Sequence, residues 1–219
     1  MPRPWILEKL GLRPYTEVWD YQKRLAAQKI ARRRSPDYLL LTEHPPVYTL
    51  GTGSSLDFVR FDPRGSAYEI HRTERGGEVT YHCPGQLVGY PILDLNHYQR
   101  DLHWYLRQLE TVLLTALASQ GLQAECREGL TGIWLNGVKV GALGIKVSRW
   151  VAYHGFSLNV CPDLEGFERI VPCGLQGYGV GSLAQVLPDI TLREMDAAVI
   201  DAFQAVFQAQ WLNGADALE

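Results

Sequence analysis

An Asn-Gly pair at residues 136–137 lies between two apolar stretches and constrains how the second half of the chain can fold. A two-residue type I′ turn needs positive φ angles at both central residues, and Asn-Gly is strongly preferred there. The sequence from Ala124 to Val160 is typical of strands on both sides of this pair. It therefore predicts strands across 124–160 with a hairpin at 136–137.

Shorter apolar runs in the first half of the chain also indicate strands. Asp37–His44 is an apolar run that stops at Pro45-Pro46, which is typical of a buried strand, and an extended segment resumes at Val47–Gly51. Residues 54–67 are polar and turn-rich, so we expect a surface loop. Tyr68–Leu95 predicts a strand, a glycine turn, a second strand, a Pro-Gly turn and a third strand.

Three segments carry apolar side chains at helical spacing. Thr16–Arg34 predicts a helix with Thr16 as its N-cap. Asp101–Gln120 predicts a second helix that Asp101 caps and Gly121 ends. Thr191–Trp211 predicts a third helix, in which Thr191 and Glu194 form a capping box. Strands grouped between helices, without strict βαβ alternation, indicate an α+β fold with a mixed β-sheet flanked by helices.

The composition excludes several classes of protein. The 219 residues carry a net charge of −3, which gives no basic field for nucleic-acid binding, and 46% are hydrophobic, which excludes a disordered chain. We find no internal repeat or linker, so we expect residues 1–219 to form a single domain. The sequence shows no signal peptide and no apolar stretch long enough for a membrane span, so we expect a cytoplasmic protein with no membrane partner, or an organellar one after loss of a transit peptide.

Four cysteines are scattered along the chain without a C-x-x-C pair, at Cys83, Cys126, Cys161 and Cys173. This spacing argues against a zinc ribbon and a redox dithiol, and no His, Cys and carboxylate set has metal-ligand spacing. We therefore expect reduced thiols and no metal.

The segment Arg75–Gln86, RGGEVTYHCPGQ, holds the densest set of residues that could bind a ligand. Paired glycines let a backbone approach a ligand closely, and Arg75 and His82 supply a cation and an imidazole. A glycine-kinked hairpin with an exposed arginine explains the same residues, and their spacing leaves both interpretations open.

Two further residues could carry chemistry. Cys173 lies between Pro172 and Gly174, where a sharp turn tends to expose a thiol and leaves backbone N–H groups beside it. Lys139 follows the Asn-Gly turn among small residues. Composition alone favours a packing role for a lone cysteine and an ordinary exposed position for a strand lysine.

Four blocks of the sequence are informative when taken together, and they are HPPVYTLG at 44–51, RGGEVTYHCPGQLVGYPILDL at 75–95, GVKVGALGIKVSRWVAYHGFSLNV at 137–160 and IVPCGL at 170–175. In their residues and in their order, these blocks resemble the octanoyltransferase family of lipoate biosynthesis. The resemblance implies the catalytic fold shared with biotin and lipoate protein ligases. It also implies transfer of an octanoyl group from acyl carrier protein to a lysine of lipoyl-domain proteins, without a cofactor.

The resemblance further implies roles for individual residues. Cys173 maps onto the family's nucleophile and Lys139, rather than Lys146, onto its activating lysine. The N–H of Gly174 and those of its neighbours are the expected donors to the oxyanion. The residues expected to bind the acyl group are Arg75, Gly76, Gly77, Glu78, Val79, Thr80, Tyr81, His82, Ala142, Leu143, Gly144, Gly155, Phe156 and Ser157.

The implied acceptors are the lipoyl domains of 2-oxoacid dehydrogenase E2 subunits and the H protein of glycine cleavage. Two alternatives remain at this point: an ATP-dependent lipoate or biotin protein ligase of the same fold, and a non-catalytic module that only binds lipoyl or acyl carrier domains. A requirement for ATP would favour the first. Binding without turnover would favour the second.

Overall fold

The computed structural model describes residues 3–65, 68–174 and 177–212, and of Cys173 only the backbone. Within these ranges lie three α-helices, α1 (Tyr15–Ala31), α2 (Leu102–Ser119) and α3 (Leu192–Phe207). The same ranges contain eleven strands, which are β1 (Arg3–Leu12), β2 (Asp37–Glu43), β3 (Val47–Leu50), β4 (Glu69–Arg72), β5 (Thr80–His82), β6 (Gln86–Asp94), β7 (Glu125–Arg127), β8 (Leu130–Leu135), β9 (Val138–Ser148), β10 (Val151–Asn159) and β11 (Ala209–Trp211).

Eight of the strands form one mixed sheet in the order β11-β1-β2-β6-β10-β9-β8-β7. The pairs β11–β1 and β1–β2 are parallel, and every later pair in this order is antiparallel. A smaller sheet in the order β4-β3-β5 contributes the remaining three strands. The mixed sheet and its flanking helices confirm the predicted α+β fold.

The helices cover both faces of the large sheet. Helix α1 buries Val18, Leu25 and Ala26 against Leu40 and Tyr90 on one face. Helices α2 and α3 pack on the other face, where the larger apolar cluster lies. Burying one apolar stripe of each helix against the sheet removes apolar surface from water, and this burial is the dominant favourable term in folding. Among the described helices, none combines the length and apolar character needed to cross a bilayer.

Several predictions based on local chemistry are confirmed. Asn136 and Gly137 have φ angles of 49° and 86° and join the paired residues Leu135 and Val138, as a type I′ hairpin requires. The side chain of Asp101 accepts hydrogen bonds from two backbone N–H groups at the start of α2. Thr191 and Glu194 form the capping box of α3.

The predicted bounds of two helices were wrong. Helix α1 begins at Tyr15 after Pro14, so Thr16 lies inside the helix and makes no cap, and it ends at Ala31 rather than Arg34. The chain leaves the helix at Arg32, whose φ of −126° and ψ of 75° are not helical.

Helix α3 ends at Phe207 rather than Trp211, because Gln208 adopts a left-handed conformation with φ 52°. The following residues form β11, which pairs in parallel with β1. Strand β1 itself was not predicted.

Candidate functional site

A cavity of about 260 Å³ lies between β5 and the side of the large sheet that α1 also covers. Its lining comes from β6, β10, β9 and β8, which are consecutive neighbours in the sheet, and from the segment between β4 and β5. Three interstrand spacings of ~4.8 Å give the cavity a span of about 14 Å across the strands. A space of this size suits a small ligand.

Most of the residues predicted to bind the acyl group line this cavity, together with Lys139. They are Arg75, Gly77, Glu78, Thr80, His82, Ala142, Leu143, Gly144, Gly155, Phe156 and Ser157. Residues from three separated parts of the sequence thus meet at one place.

Three of the predicted binding residues lie outside the lining. Thr80 and His82 face the cavity from β5, and the alternation of a strand turns Tyr81 to the opposite face. There Tyr81 packs with Val79 in the apolar core of the smaller sheet. Gly76 is held at the edge of β9 through its N–H, which donates to the carbonyl of Ile145 at 2.8 Å.

Arg75 shapes the wall of the cavity through hydrogen bonds to its own surroundings. Its guanidinium donates to the hydroxyl and carbonyl of Thr49, to the carbonyl of Gly76 and to the carbonyl of Glu78, at 2.7–3.1 Å. The planar fork of donors suits this task, because it can fix several acceptors at once. A side chain on Gly144 would obstruct this arrangement, since its Cβ would lie 2.9 Å from the Gly76 carbonyl.

Lys139 is buried at one end of the cavity, with 8% of its surface exposed. Its Nζ donates to the carbonyl of Thr131 at 2.8 Å and lies 5.8 Å from the centre of the Trp134 ring. Its backbone bonds to both Gly179 and Gly181, which fixes the segment after the Pro-Cys-Gly turn beside β9. Lys139 is therefore not the ordinary exposed strand lysine that composition favours.

The Pro-Cys-Gly turn lies next to this end of the cavity. Residues Pro172–Gly174 form one turn of 3-10 helix, and Gly174 has a φ angle of 66°. A small cavity of about 20 Å³ is lined by Pro172 and by Lys139, as well as by Thr80, Ala142 and Ser157, which also line the large cavity. The side chain of Cys173, the predicted nucleophile, lies outside the described residues.

The expected oxyanion donor at Gly174 is not free. Its backbone N–H donates to the carbonyl of Val171 at 3.1 Å and so closes the turn. A short turn satisfies its own donors in this way, which the sequence pattern did not reveal. An oxyanion at Cys173 would need other donors, or a change in this turn.

Sequence reasoning missed a further group of lining residues, namely Tyr15, Val88, Tyr90, Gly129, Leu130 and Thr131. His154, in the block at 137–160, also lines the cavity, and the sequence assigns it no definite role. His154 has an unusual φ angle of 57°. The residue pairs that β10 and β6 form before and after it place His154 opposite Pro91, which has no N–H to donate. Tyr90 and Val88 alternate along β6, so they could have been identified once that strand was known to border the site. Tyr15 comes from α1 and carried no sequence signal.

Histidines near the cavity are neutral because they are buried. His82 Nδ1 donates to the side-chain oxygen of Gln86 at 2.6 Å, and burial lowers the pKa of His82 to about 3. His44 Nδ1 donates to the carbonyl of Arg13 while its Nε2 accepts from the Tyr90 hydroxyl, and burial lowers its pKa to about 4. Burial also lowers the pKa of His154. A neutral imidazole cannot supply a positive charge to a thiolate.

We expect these buried histidines to make the protein sensitive to acid. Below pH ~6.5 the histidines of the unfolded chain bind protons, whereas the buried histidines of the folded protein stay neutral. The free energy of unfolding therefore falls as the pH is lowered, until the pKa values of the folded state are reached. The slope is at most about 1.4 kcal/mol per pH unit for each histidine. Urea unfolding of the wild type between pH 7 and pH 4 measures it.

The variant His44→Gln should flatten this pH dependence, and His103→Gln at an exposed position should leave it unchanged. An identical slope in wild type and His44→Gln would show that His44 does not resist protonation in the folded state.

No group of three or more His, Cys, Asp or Glu side chains with the geometry of a metal site occurs in the described ranges. Among the described residues that line the small cavity beside the Pro-Cys-Gly turn, the one basic side chain is that of Lys139.

Solved structures share the fold of this chain at low sequence identity. A lipoate-protein ligase A bound with ATP superposes with a TM-score of 0.73 and 14% identity, over 99% of this chain and 91% of that chain. A biotin protein ligase from Aquifex aeolicus gives a TM-score of 0.51 and 13% identity, over 95% of this chain and 70% of that chain. The predicted relation to the fold of these ligases is confirmed.

Relatives found by sequence are much more similar to this chain in sequence than these solved structures are. An octanoyltransferase from Synechocystis sp. is 59% identical over 94% of this chain and 91% of its own length. One from Nostoc punctiforme is 56% identical over 95% of this chain and 90% of its own length. The family model for the lipoyl protein ligase A/B catalytic domain matches residues 14–204. The chain belongs to this catalytic-domain family and, within it, to the octanoyltransferases, which are acyltransferases.

Proposed function

We propose that this acyltransferase moves an octanoyl group from octanoyl-acyl carrier protein to a lysine of a lipoyl domain through a thioester on Cys173. The observation that carries the proposal is the shared lining of the two cavities. Pro172, the neighbour of Cys173, and Lys139 border the same small cavity, and Lys139 also borders the larger cavity that can hold an acyl chain. The chemistry and the acyl site would then meet at Lys139.

The larger cavity has room for the octanoyl chain. Seven carbon–carbon bonds of ~1.5 Å give this chain a length of at most ~10 Å, against the span of about 14 Å across four strands. With the thioester near Lys139, the methyl end would point towards β6, where Tyr15, Val88 and Tyr90 form the wall. Burying the chain there removes about 0.8 kcal/mol of unfavourable hydration for each methylene group.

Lys139 would activate the nucleophile. A free thiol has a pKa of ~8.5 and is mostly protonated at neutral pH, so a nearby cation or base is needed to form the thiolate. The amine of Lys139 can accept the thiol proton, and the resulting ammonium stabilises the thiolate. The histidines of the cavity suit this role less well, because burial lowers the pKa of His82 and of His154 and so makes each a weaker base that carries no charge at neutral pH.

In the first half-reaction the Cys173 thiolate attacks the carbonyl carbon of the donor thioester. A new carbon–sulfur bond forms, the bond to the donor sulfur breaks, and the departing thiolate takes a proton from Lys139. One thioester replaces another, so the step is close to thermoneutral and needs no nucleotide.

In the second half-reaction the amine of the acceptor lysine attacks the same carbonyl carbon. A carbon–nitrogen bond forms, the Cys173 sulfur leaves as a thiolate, and Lys139 takes the proton that the amine gives up. Because an amide is more stable than a thioester, this step is downhill. The proposed acceptors are the lipoyl domains of 2-oxoacid dehydrogenase E2 subunits and the H protein of glycine cleavage.

The acyl-enzyme can be trapped. The protein mixed with octanoyl-acyl carrier protein, with no acceptor present, should gain the mass of one octanoyl group, and peptide mapping should place it on Cys173. Hydroxylamine should remove the group, since it cleaves thioesters. An apo lipoyl domain should discharge it without ATP, and steady-state kinetics should follow a ping-pong pattern.

Two results would contradict this mechanism. Intersecting kinetics with no acyl mass would indicate direct transfer inside a ternary complex. A strict requirement for ATP would indicate that the chain works as a ligase, like the ATP-bound structure that shares its fold.

A further inference from the structure

The peptide group between Thr131 and Gly132 on β8 is bonded on both sides by ionisable side chains. Its carbonyl, on Thr131, accepts the hydrogen bond from Lys139 Nζ at 2.8 Å. Its N–H, on Gly132, donates to the Glu110 carboxylate at 3.1 Å. We infer that Glu110 is a positioning residue for Lys139 and acts through this one peptide group. The inference rests on the proposed role of Lys139.

A glutamate is unexpected at position 110, because this position faces the apolar core. It lies on α2 with 1% of its surface exposed, between the fully buried Leu109 and Leu113 on the face that packs against the sheet. Burying a carboxylate is costly unless it is paired and hydrogen-bonded. Arg107, one turn earlier, forms an ion pair with one carboxylate oxygen at 2.7 Å, the Gly132 N–H donates to the other oxygen, and the Cys126 thiol also contacts the carboxylate.

Strand β8 is irregular where Glu110 contacts it. The pairing of β8 with β7 shifts register between Glu125 and Arg127, and its pairing with β9 shifts between Ile133 and Trp134. Such irregularities interrupt the regular ladder of backbone hydrogen bonds. Glu110 meets the N–H of Gly132 at this interruption, so a side chain sets the orientation of the peptide group.

Gly132 leaves the space that Lys139 occupies. Its φ angle of 137° is one that other residues rarely adopt, and a Cβ built there would lie 2.4 Å from Lys139 Cε. The side chain of Lys139 therefore passes directly over the peptide group that Glu110 holds. Any rotation of that group would turn the Thr131 carbonyl away from Nζ.

The charge of Glu110 and the orientation that it gives the peptide group both strengthen the hydrogen bond from Lys139 to the Thr131 carbonyl. A carboxylate that accepts the N–H of an amide makes the carbonyl of that amide a stronger acceptor, because hydrogen bonds in a chain polarise one another. Without the carboxylate the Gly132 N–H would be left unsatisfied, and the peptide group would be free to seek another partner. Lys139 would then lose the fixed position from which it acts on Cys173.

Two variants separate orientation from charge. Glu110→Asp keeps the charge but is one methylene shorter, so it should not reach the Gly132 N–H. Glu110→Gln loses the charge but keeps a side-chain oxygen at the same reach. If orientation is the main effect, Glu110→Asp is impaired and Glu110→Gln stays close to wild type; a charge acting through space predicts the opposite order.

The experiment measures alkylation of Cys173 by iodoacetamide against pH in the full chain, with peptide mapping, and kcat and KM for octanoyl transfer. Wild type should show a thiol midpoint below that of free cysteine. Glu110→Asp should move the midpoint up towards ~8.5 and lower kcat by up to ~100-fold with little change in KM. Thr111→Ala, at an exposed position on the same helix, is the control and should match wild type.

The outcomes distinguish this inference from the proposed function. If Lys139→Met shifts the midpoint and Glu110→Asp does not, Glu110 has no positioning role. If Lys139→Met leaves the midpoint unchanged, the proposed pairing of Cys173 and Lys139 is wrong. A lower melting temperature in Glu110→Asp with an unchanged midpoint and kcat would assign Glu110 to stability alone.

Discussion

Replacing Cys173 with alanine is expected to abolish octanoyl transfer. The proposed mechanism passes the acyl group through the sulfur of this residue, and alanine offers no atom that can form the thioester. Loss of a covalent nucleophile lowers turnover by about 10,000-fold or more in enzymes that depend on one. Transfer from octanoyl-acyl carrier protein to an apo lipoyl domain measures the effect.

The other cysteines supply matched controls. Partial burial raises the pKa of Cys126 to about 11, and partial burial of the sulfur also raises the pKa of the more exposed Cys161, so both thiols are protonated at neutral pH. A protonated thiol is a poor nucleophile. We therefore expect Cys126→Ala and Cys161→Ala to keep most of the activity and to accept the octanoyl group on Cys173. Because the Cys126 thiol also contacts Glu110, Cys161→Ala is the control that leaves the surroundings of Glu110 unchanged.

A Cys173→Ala variant that turned over like wild type would exclude the covalent mechanism. Loss of activity in Cys161→Ala, at an exposed site, would assign the nucleophile to a different thiol. The family membership of the chain would stand in either case, since it rests on the sequence relatives and on the matched domain.

Features that depend on a few neighbouring residues could be predicted from the sequence. The Asn136-Gly137 turn and the capping box of Thr191 and Glu194 are examples, because each is decided by the backbone preferences or side-chain bonds of adjacent residues. The same holds for the Asp101 cap of α2.

Features that depend on distant partners could not be predicted from the sequence. Strand β1 pairs with β2 and also with β11, which comes near the other end of the chain. No local sequence pattern indicates that pairing. Arg149 and Trp150 form a two-residue turn between β9 and β10 with φ angles of 49° and 67°, without glycine or asparagine. Arg33 donates to the Arg149 carbonyl and to the buried Asp94, so the tertiary fold supports this turn.

The residues of the site show the same difference between those that the sequence could predict and those that tertiary packing brings in. The resemblance of whole sequence blocks to the octanoyltransferase family predicted Lys139, Gly155 and their neighbours at the site, and they line the cavity because neighbouring strands carry them there together. Tyr15 and Glu110 come from helices that reach the site only when the layers pack, and one sequence gives no sign of that contact. The alternation of β5 decided which residues of a contiguous block could face the ligand, and Tyr81 was thereby turned away.

Replacing Lys139 with methionine is expected to lower octanoyl transfer by about 100- to 10,000-fold, the usual contribution of a general acid–base group. Methionine has a similar length and fits an apolar site, but it carries neither a charge nor a proton. The Cys173 thiol should therefore titrate like a free cysteine. Alkylation by iodoacetamide against pH measures the titration, and the transfer assay measures turnover.

Lys139→Arg separates the two roles of the lysine. A guanidinium is always charged, so it can stabilise a thiolate, but it cannot take up the proton of the thiol or of the acceptor amine. We expect this variant to recover a lowered thiol midpoint better than it recovers turnover. Equal recovery of both would mean that Lys139 contributes charge alone. In that case another group, or water, must accept the proton of the acceptor lysine, because the neutral His82 lies in the same cavity with its pKa lowered to about 3 by burial and is too weak a base to hold it.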